Sequence, residues 1–341
     1  MSKLIPLVLQ DAPALIEAVF PAQKVSFEAQ KERKANLGQT LTGLGSYWKG
    51  RKPLILVRAI VLVYPRFIDL VSGYVWEEDG IPVGYAMLQP TAMMGSPAWE
   101  ISRVAVLPSY RRHGIARQLV DASLALARGK GAQTITLSVF TQNVPAYRFY
   151  AGMGFEHYSG STQMNRAAEV QIPERQPIPP GYIVNEATYS DWRPSYQLSD
   201  RITPPEVRDY KPVAQSNYHP PLLIRTLETF MDRFSGVAKG RTVVYRDEGA
   251  GEDSGEVVAT ASYRARLKPG GVNLIFFVLD PDCSELAPFL VGKLVQEVME
   301  RSPRRRIRFD QEVWGLPLVE AALEMGFTVR KEWHDMGMQL T

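Results

Sequence analysis

The stretch VAVLPSYRRHGIAR, residues 104–117, carries more information about this chain than any other. Four residues that suit a strand, Val104–Leu107, are closed by Pro108, which removes a backbone donor. A short basic loop follows, and helical spacing begins at Gly114 with Ile115, Leu119, Ala122 and Leu126 on one face. A helix N-terminus offers unpaired N–H groups and the positive end of its dipole. That combination suits a pyrophosphate. Gly114 has no side chain to keep a phosphate away, and Ala116 leaves the next N–H accessible. Arg111 and Arg112 add positive charge. Taken alone, the loop also reads as a basic turn before an amphipathic helix.

Working outward, Phe67–Trp76 and Ile81–Gln89 are β-rich runs separated by Glu77-Glu78-Asp79-Gly80, and Asp-Gly there predicts a hairpin. Trp99–Leu107 is the third strand and Gly114–Arg128 the helix, ended by Gly129 and Gly131. Ile135–Phe140 predicts a strand, Pro145–Gly152 a short helix and Phe155–Asn165 another strand. Before these, Asp11–Phe20 predicts a helix after a short strand, while the polar, glycine-bearing Lys24–Lys52 has no clear assignment.

Arg166–Gly181 holds four prolines and little that packs, so it predicts an extended linker. Beyond it the same order returns. Arg241–Tyr245, Val257–Leu267 and Val272–Leu279 predict strands, and Pro281 closes the last of them. Glu285–Arg301 predicts a helix, Arg306–Val313 a strand, Pro317–Met325 a helix and Thr328–Leu340 a strand. VPAYRFYAGMGF at 144–155 aligns with LPLVEAALEMGF at 316–327. The offset is 172 residues at Pro145/Pro317 and Gly154/Gly326, and 173 at Pro108/Pro281. A steady offset marks an internal repeat. The expected fold is an α/β mixed sheet in each of two tandem domains, 1–166 and 182–341, joined by the linker 167–181 and packed side by side.

Composition agrees with two globular domains: 341 residues, 45% hydrophobic and 22% charged, with a formal net charge of +3. That charge gives no argument for nucleic acid binding. One cysteine, Cys283, excludes an internal disulfide and a multi-cysteine metal site, so no metal is expected. The apolar run Leu54–Tyr64 is too short to span a membrane, and the N-terminal apolar stretch is too short for a secretory signal. A cytoplasmic protein without membrane contact is the expectation.

The loop Arg111-x-x-Gly114-x-Ala116 is followed, 27 residues after Ala116, by Asn143-x-x-Ala146-x-x-Phe149-Tyr150-x-x-x-Gly154-Phe155. With the strand Val104–Leu107 and Pro108, this set resembles the GNAT superfamily of acyl-CoA N-acyltransferases. It is strongest over residues 67–165, and the repeat extends it faintly to the second half.

The resemblance implies acetyl-coenzyme A as cofactor. It implies that Arg111, Arg112, His113, Gly114, Ile115 and Ala116 hold the pyrophosphate. It implies that the strand carrying Val104, Ala105 and Val106 splays from its neighbour, pairs with the pantetheine arm and polarises the thioester carbonyl with an N–H. The acceptor amine needs a base. Glu100, near the start of that strand, is the candidate, and without a bulge it shares a face with Ser102 and Val104. Its other reading is an exposed strand-edge carboxylate. Tyr150 stands where the family often keeps its general-acid tyrosine, and otherwise packs between helix and sheet. Asn143 either reaches the pantetheine or caps the short helix.

In the second half Ser284 replaces Arg111, Ala287 replaces Gly114, Gly315 replaces Asn143 and Ala322 replaces Tyr150, while Asp282 and Glu285 bring negative charge. A phosphate would be repelled there. The expected function is an N-acetyltransferase acting in a ternary complex with one active site, in the N-terminal half. The acceptor is a small amine or a protein amino group, and the chain is a monomer or homodimer. The alternative is a non-catalytic regulatory protein that binds acetyl-coenzyme A.

Overall fold

The computed structural model describes residues 2–7, 72–92, 97–174, 176–187, 191–220, 236–247, 255–268 and 271–340, with Leu222, Arg225, Thr226 and Asp232. The expected helix Asp11–Phe20, the segment Lys24–Lys52 and the run Leu54–Tyr64 lie outside the described residues.

The first half begins with β1 (Ser2–Pro6), β2 (Ser72–Glu78), β3 (Ile81–Pro90) and β4 (Ala98–Val106). Asp79 and Gly80, between β2 and β3, both have positive φ, 50° and 78°, as a two-residue hairpin turn requires. Next come α1 (Ile115–Gly129), β5 (Thr134–Phe140), α2 (Val144–Ala151) and β6 (Glu156–Arg166). The apolar stripe of α1 is rotated from the expected one. Val120, Leu124 and Ala127 are buried beside Ile115 and Leu119, whereas Ala122 and Leu126 are only half-buried.

The second half supplies β7 (Tyr182–Ala187), α3 (Arg193–Ile202), α4 (Pro205–Arg208), α5 (Gln215–Tyr218), β8 (Val237–Arg246), β9 (Val257–Arg266) and β10 (Asn273–Leu279). It ends with α6 (Ala287–Arg301), β11 (Ile307–Glu312), α7 (Leu316–Glu324) and β12 (Phe327–Gln339). The helix expected from Glu285 starts two residues later, because a 3-10 turn, Pro281–Leu286, intervenes.

The halves are not two sheets side by side. Among the described residues the strands form one sheet, in the order β1-β2-β3-β4-β5-β12-β6-β11-β10-β9-β8-β7. The final strand, β12, lies between β5 and β6 of the first half, antiparallel to both. β6 in turn pairs with β11 of the second. Each half therefore lends a strand to the other. The cores follow the same pattern: Met336 and Leu340, from the end of the chain, are buried with Trp99, Ile101, Leu124 and Leu137.

Arg166 stands where the halves exchange, facing both Ile307 of β11 and Phe327 of β12. It is fully buried. Its Nε donates to Met325 O at 2.8 Å, and Nη2 donates to Val170 O at 3.2 Å and to Gln171 O. Hydrogen bonds from a charged group are each worth about 1.5–3 kcal/mol, and a stranded carbonyl costs a similar amount. Arg166→Met is therefore expected to lower stability by about 3 kcal/mol, read as a lower urea midpoint. An unchanged midpoint would remove Arg166 from the junction's energetics. Among the described residues no helix is long and apolar enough to cross a membrane.

Candidate active site

β4 runs beside β5 in parallel only from Ala98↔Thr134 to Glu100↔Thr136. Beyond Glu100 it stays paired with β3 alone, so a gap opens between β4 and β5. The N–H of Leu107 turns toward β3 and reaches Val83 O at 2.8 Å. Successive backbone N–H groups point to opposite sides of a strand. Those of Val104 and Val106 therefore point into the gap, and that of Ala105 toward β3. Val106 O, on the gap side, accepts from Arg111 Nε at 3.1 Å.

The basic loop closes one end of this gap. Arg112 and Gly114 both have left-handed backbone, φ 68° and 79°. A Cβ on Gly114 would meet nothing within 4 Å, so its strain is conformational and the space above it is open. No side chain caps α1, and Gln118 N–H, bonded to Gly114 O at 3.1 Å, is the first in the helix with a backbone acceptor. The N–H groups of Ile115, Ala116 and Arg117 lie ahead of it. Arg111, Arg112 and His113 are exposed around them. These groups fit a pyrophosphate: open amides, a glycine cradle and exposed cations. Ile115 contributes only its N–H, since its side chain is buried with Trp76, Val83 and Leu119.

A bulge sets which way the residues of β4 face. Ile101 pairs with Leu88 and Arg103 with Met87, which leaves Ser102 as the extra residue. Ser102 Oγ donates to Met87 O at 3.4 Å. Trp99 and Ile101 before the bulge, and Val104 and Val106 after it, all pack on the α1 side. Glu100 thus lies on the opposite face, with Arg103 and Ala105, and does not share a face with Val104. Gln89 Nε2 donates to Glu100 Oε2 at 3.2 Å.

Tyr150 sits on the α1 side. It is half-buried, edge-on to Phe149 and Phe155 with centroids 5.1 and 5.8 Å away, in the cluster that takes in Val104. Burial pushes its phenol up to about 12. Asn143 caps α2, its Oδ1 accepting from Ala146 N at 3.3 Å. Glu100 and Tyr150 therefore approach the gap from opposite faces of the sheet.

On the Glu100 face lie residues that sequence reasoning did not bring to the site. Thr136 pairs with Glu100, and Ser138, two residues further along β5, shares its face. Ser138 Oγ donates to Asp335 Oδ1 of β12. Tyr158, the bulged residue of β6, stacks on Tyr210 at 4.8 Å, and Tyr210 Oη donates to Glu156 Oε2 at 2.9 Å. Burial raises the Tyr158 phenol far above its ordinary value, and the charges of Asp335, Glu312 and Glu100 add to that. No local signal marks Asp335, which meets Ser138 across 197 residues of sequence.

The corresponding loop of the second half is bonded to itself. Asp280 accepts from Asp282 N–H at 3.0 Å and pairs with Arg201 Nη2 at 2.7 Å. Tyr182 Oη donates to Glu285, whose carboxyl is held below its ordinary range chiefly by that bond. Arg246 Nη2 lies 3.3 Å from the buried Cys283 Sγ.

Residues 58–155 match the model described as the Acetyltransferase (GNAT) family. A model for a protein of unknown function matches residues 19–64. Over 58 residues the chain is 40% identical to N-alpha-acetyltransferase 30 of Schizosaccharomyces pombe, covering 17% of this chain and 39% of that protein. Over 79 residues it is 40% identical to an uncharacterized N-acetyltransferase of Mycobacterium bovis, covering 23% and 48%. Over 93 residues it is 26% identical to aminoglycoside N(6')-acetyltransferase type 1 of Salmonella typhimurium, covering 26% and 64%. The chain thus spans 39% to 64% of the length of these relatives. Among solved structures, a tandem GNAT protein from the clavulanic acid biosynthesis pathway aligns over 100% of this chain and 99% of its own, at 15% identity and TM-score 0.57. A GCN5-related N-acetyltransferase from Sphaerobacter thermophilus aligns over 99% and 96%, at 16% identity and TM-score 0.60. At such identities the likeness is one of fold, and it runs the length of the chain. The family match falls on the half that holds the splayed strands and the open loop: residues 58–155 match the acetyltransferase (GNAT) family, and the likeness of fold continues through the second half.

Proposed function

We propose that the protein is an acetyl-coenzyme A-dependent N-acetyltransferase with one active site, in its N-terminal half. The observation that carries this reading is the gap beyond Glu100↔Thr136, with the N–H groups of Val104 and Val106 turned into it and the uncapped start of α1 at its end. The amides of Ile115, Ala116 and Arg117, with Arg111, Arg112 and His113, hold the pyrophosphate. Bound acetyl-coenzyme A supplies an acetyl group activated as a thioester. The N–H groups of Val104 and Val106 are placed to donate hydrogen bonds to a carbonyl oxygen of the thioester or of the pantetheine arm. Asn143 keeps α2 in place, which orients Tyr150.

Glu100 takes the proton that the acceptor amine must lose, and Gln89 orients its carboxylate. Tyr150 carries a proton for the departing sulfur. Its phenol, raised to about 12, stays protonated at any physiological pH. The names of the relatives point to amines of two kinds, α-amino groups and aminoglycosides. The second half, with its loop tied by Asp280 and its tyrosine replaced by Ala322, shapes the acceptor side and does not catalyse. The protein acts in the cytoplasm, as a monomer or homodimer.

The test is amine-dependent thiol release from acetyl-coenzyme A across a panel of small amines and peptides. Tyr150→Phe is expected to lower kcat by about 100-fold with cofactor affinity kept. Because the folded-state pKa lies well above the ordinary 10, wild-type kcat should show no loss from Tyr150 ionisation up to pH 10. Cofactor binding without turnover of any amine would replace this reading with the regulatory one.

A further inference from the structure

Asp335 reaches the first half only because β12 is exchanged. It lies in one row with Ser138 of β5 and Ser159 of β6. Its residue is 7% exposed. Ser138 Oγ donates to Oδ1, no lysine or arginine among the described residues forms an ion pair with it, and the titratable cation its charge acts on is the His157 imidazole. Ser159, 5% exposed on the other side, has a hydroxyl with no hydrogen-bond partner among the described residues. A buried carboxylate without a cation is costly, and an idle buried hydroxyl beside it adds to that cost. An ammonium group has three donors and no acceptor, and would satisfy both.

The row faces the same way as Glu100. Glu100 pairs with Thr136, Asp335 pairs with Ser138, and alternate residues of a strand share a face. Two strand spacings and two residues separate Glu100 from Asp335, roughly 12 Å between Cα atoms. Their side chains and two charge-assisted hydrogen bonds of about 2.8 Å take up part of that span. A short aliphatic diamine fits the remainder. Glu312 adds a third carboxylate near Tyr158 and forms an ion pair with Lys211 at 3.6 Å.

We propose that Asp335, supplied by the C-terminal half, anchors a second cationic nitrogen of the acceptor, which is therefore a small di- or polyamine with its reacting nitrogen at Glu100. This rests on the reading of Glu100 and the gap as the transfer site. The second half then acts as part of the acceptor site through one carboxylate, beside the Ser159 hydroxyl that β6 of the first half supplies.

The test compares putrescine and spermidine with n-butylamine, on the wild type and on Asp335→Asn, which keeps the shape and the Ser138 contact. In thiol release, Asp335→Asn should raise KM for putrescine on the order of 30-fold while KM for n-butylamine stays unchanged. Ser159→Ala should shift the putrescine KM in the same direction by less. Without ligand, the Asp335→Asn protein should melt no lower than the wild type, because it loses an uncompensated buried charge. A purely structural carboxylate would lower the melting temperature and affect all amines alike, and that result overturns the proposal. So does a wild type with no preference for diamines. Calorimetric titration of putrescine separates the two readings. If no amine releases thiol yet putrescine binds the wild type and not Asp335→Asn, the transfer reading fails and the anchor stands. Thiol release with n-butylamine but no diamine effect leaves transfer standing and removes the anchor.

Discussion

Residues 1–166, produced without the rest of the chain, should give no folded monomer. The proline-rich linker looks like a natural place to divide the molecule, but the strand order forbids a clean cut there. β5 and β6 are not neighbours, and β12 fills the space between them, paired from Trp333 to Gln339 with β5 and from Phe327 to Gly337 with β6. Without β12, both strands present unpaired edges. The first core also loses Met336 and Leu340, and Trp333 no longer packs, tilted, against Phe140 at 5.3 Å. Full burial of each such side chain is worth about 1.5–3 kcal/mol. Three of them, with the ladder bonds, match the 5–15 kcal/mol that holds a typical domain together. Gel filtration with circular-dichroism melting checks this. Insoluble protein, or a dimer that exchanges strands between copies, is the expected outcome. A folded monomer with a cooperative melt would mean that β12 is dispensable.

Gly114→Glu should abolish measurable acetyl-coenzyme A binding. Two effects act at this residue and they are separable. The backbone is left-handed, φ 79°, and any residue with a Cβ pays about 1–2 kcal/mol for that. This lowers stability but does not by itself prevent binding. The glutamate also places a carboxylate at the proposed pyrophosphate site. At about 4 Å and an effective dielectric near 20, each pair of like charges costs about 4 kcal/mol, roughly a thousand-fold in affinity. Repulsion therefore dominates. Gly114→Asn isolates the smaller effect, since asparagine tolerates the left-handed region and brings no charge. It should bind at least ten-fold more tightly than Gly114→Glu, as measured by calorimetry. Equal loss in both variants would mean that backbone shape, and not charge, governs the loop.

Much of the fold could be read from local pattern. Pro108 and Pro281 close strands, Asp79-Gly80 turns a hairpin, and the Pro145/Pro317 repeat places equivalent helices in the two halves. The strand bounds agree to within a few residues because alternation and turn residues act locally. What could not be read depends on partners distant in sequence. The exchange of β12 is a choice between two nearly equivalent places for a strand of the same pattern. The Ser102 bulge inserts one residue and so reverses the face of Glu100 relative to Val104. β7 and the short helices α4 and α5 carry too few residues for periodicity to show. The basic loop and the helix start after it were legible because their pattern is local. The face that carries Glu100 was not, because Glu100, Ser138, Tyr158 and Asp335 come from four strands in an order that only the fold supplies.

We place one cofactor site in each chain, in the N-terminal half, and calorimetric titration of the wild-type protein with acetyl-coenzyme A tests this. One molecule bound per chain, and none bound by Gly114→Glu, is the predicted result. Two per chain would contradict it, because the loop around Asp280–Ala287 would then hold a second cofactor despite its carboxylates. No binding at all would leave a GNAT fold without the cofactor on which the proposed reaction depends.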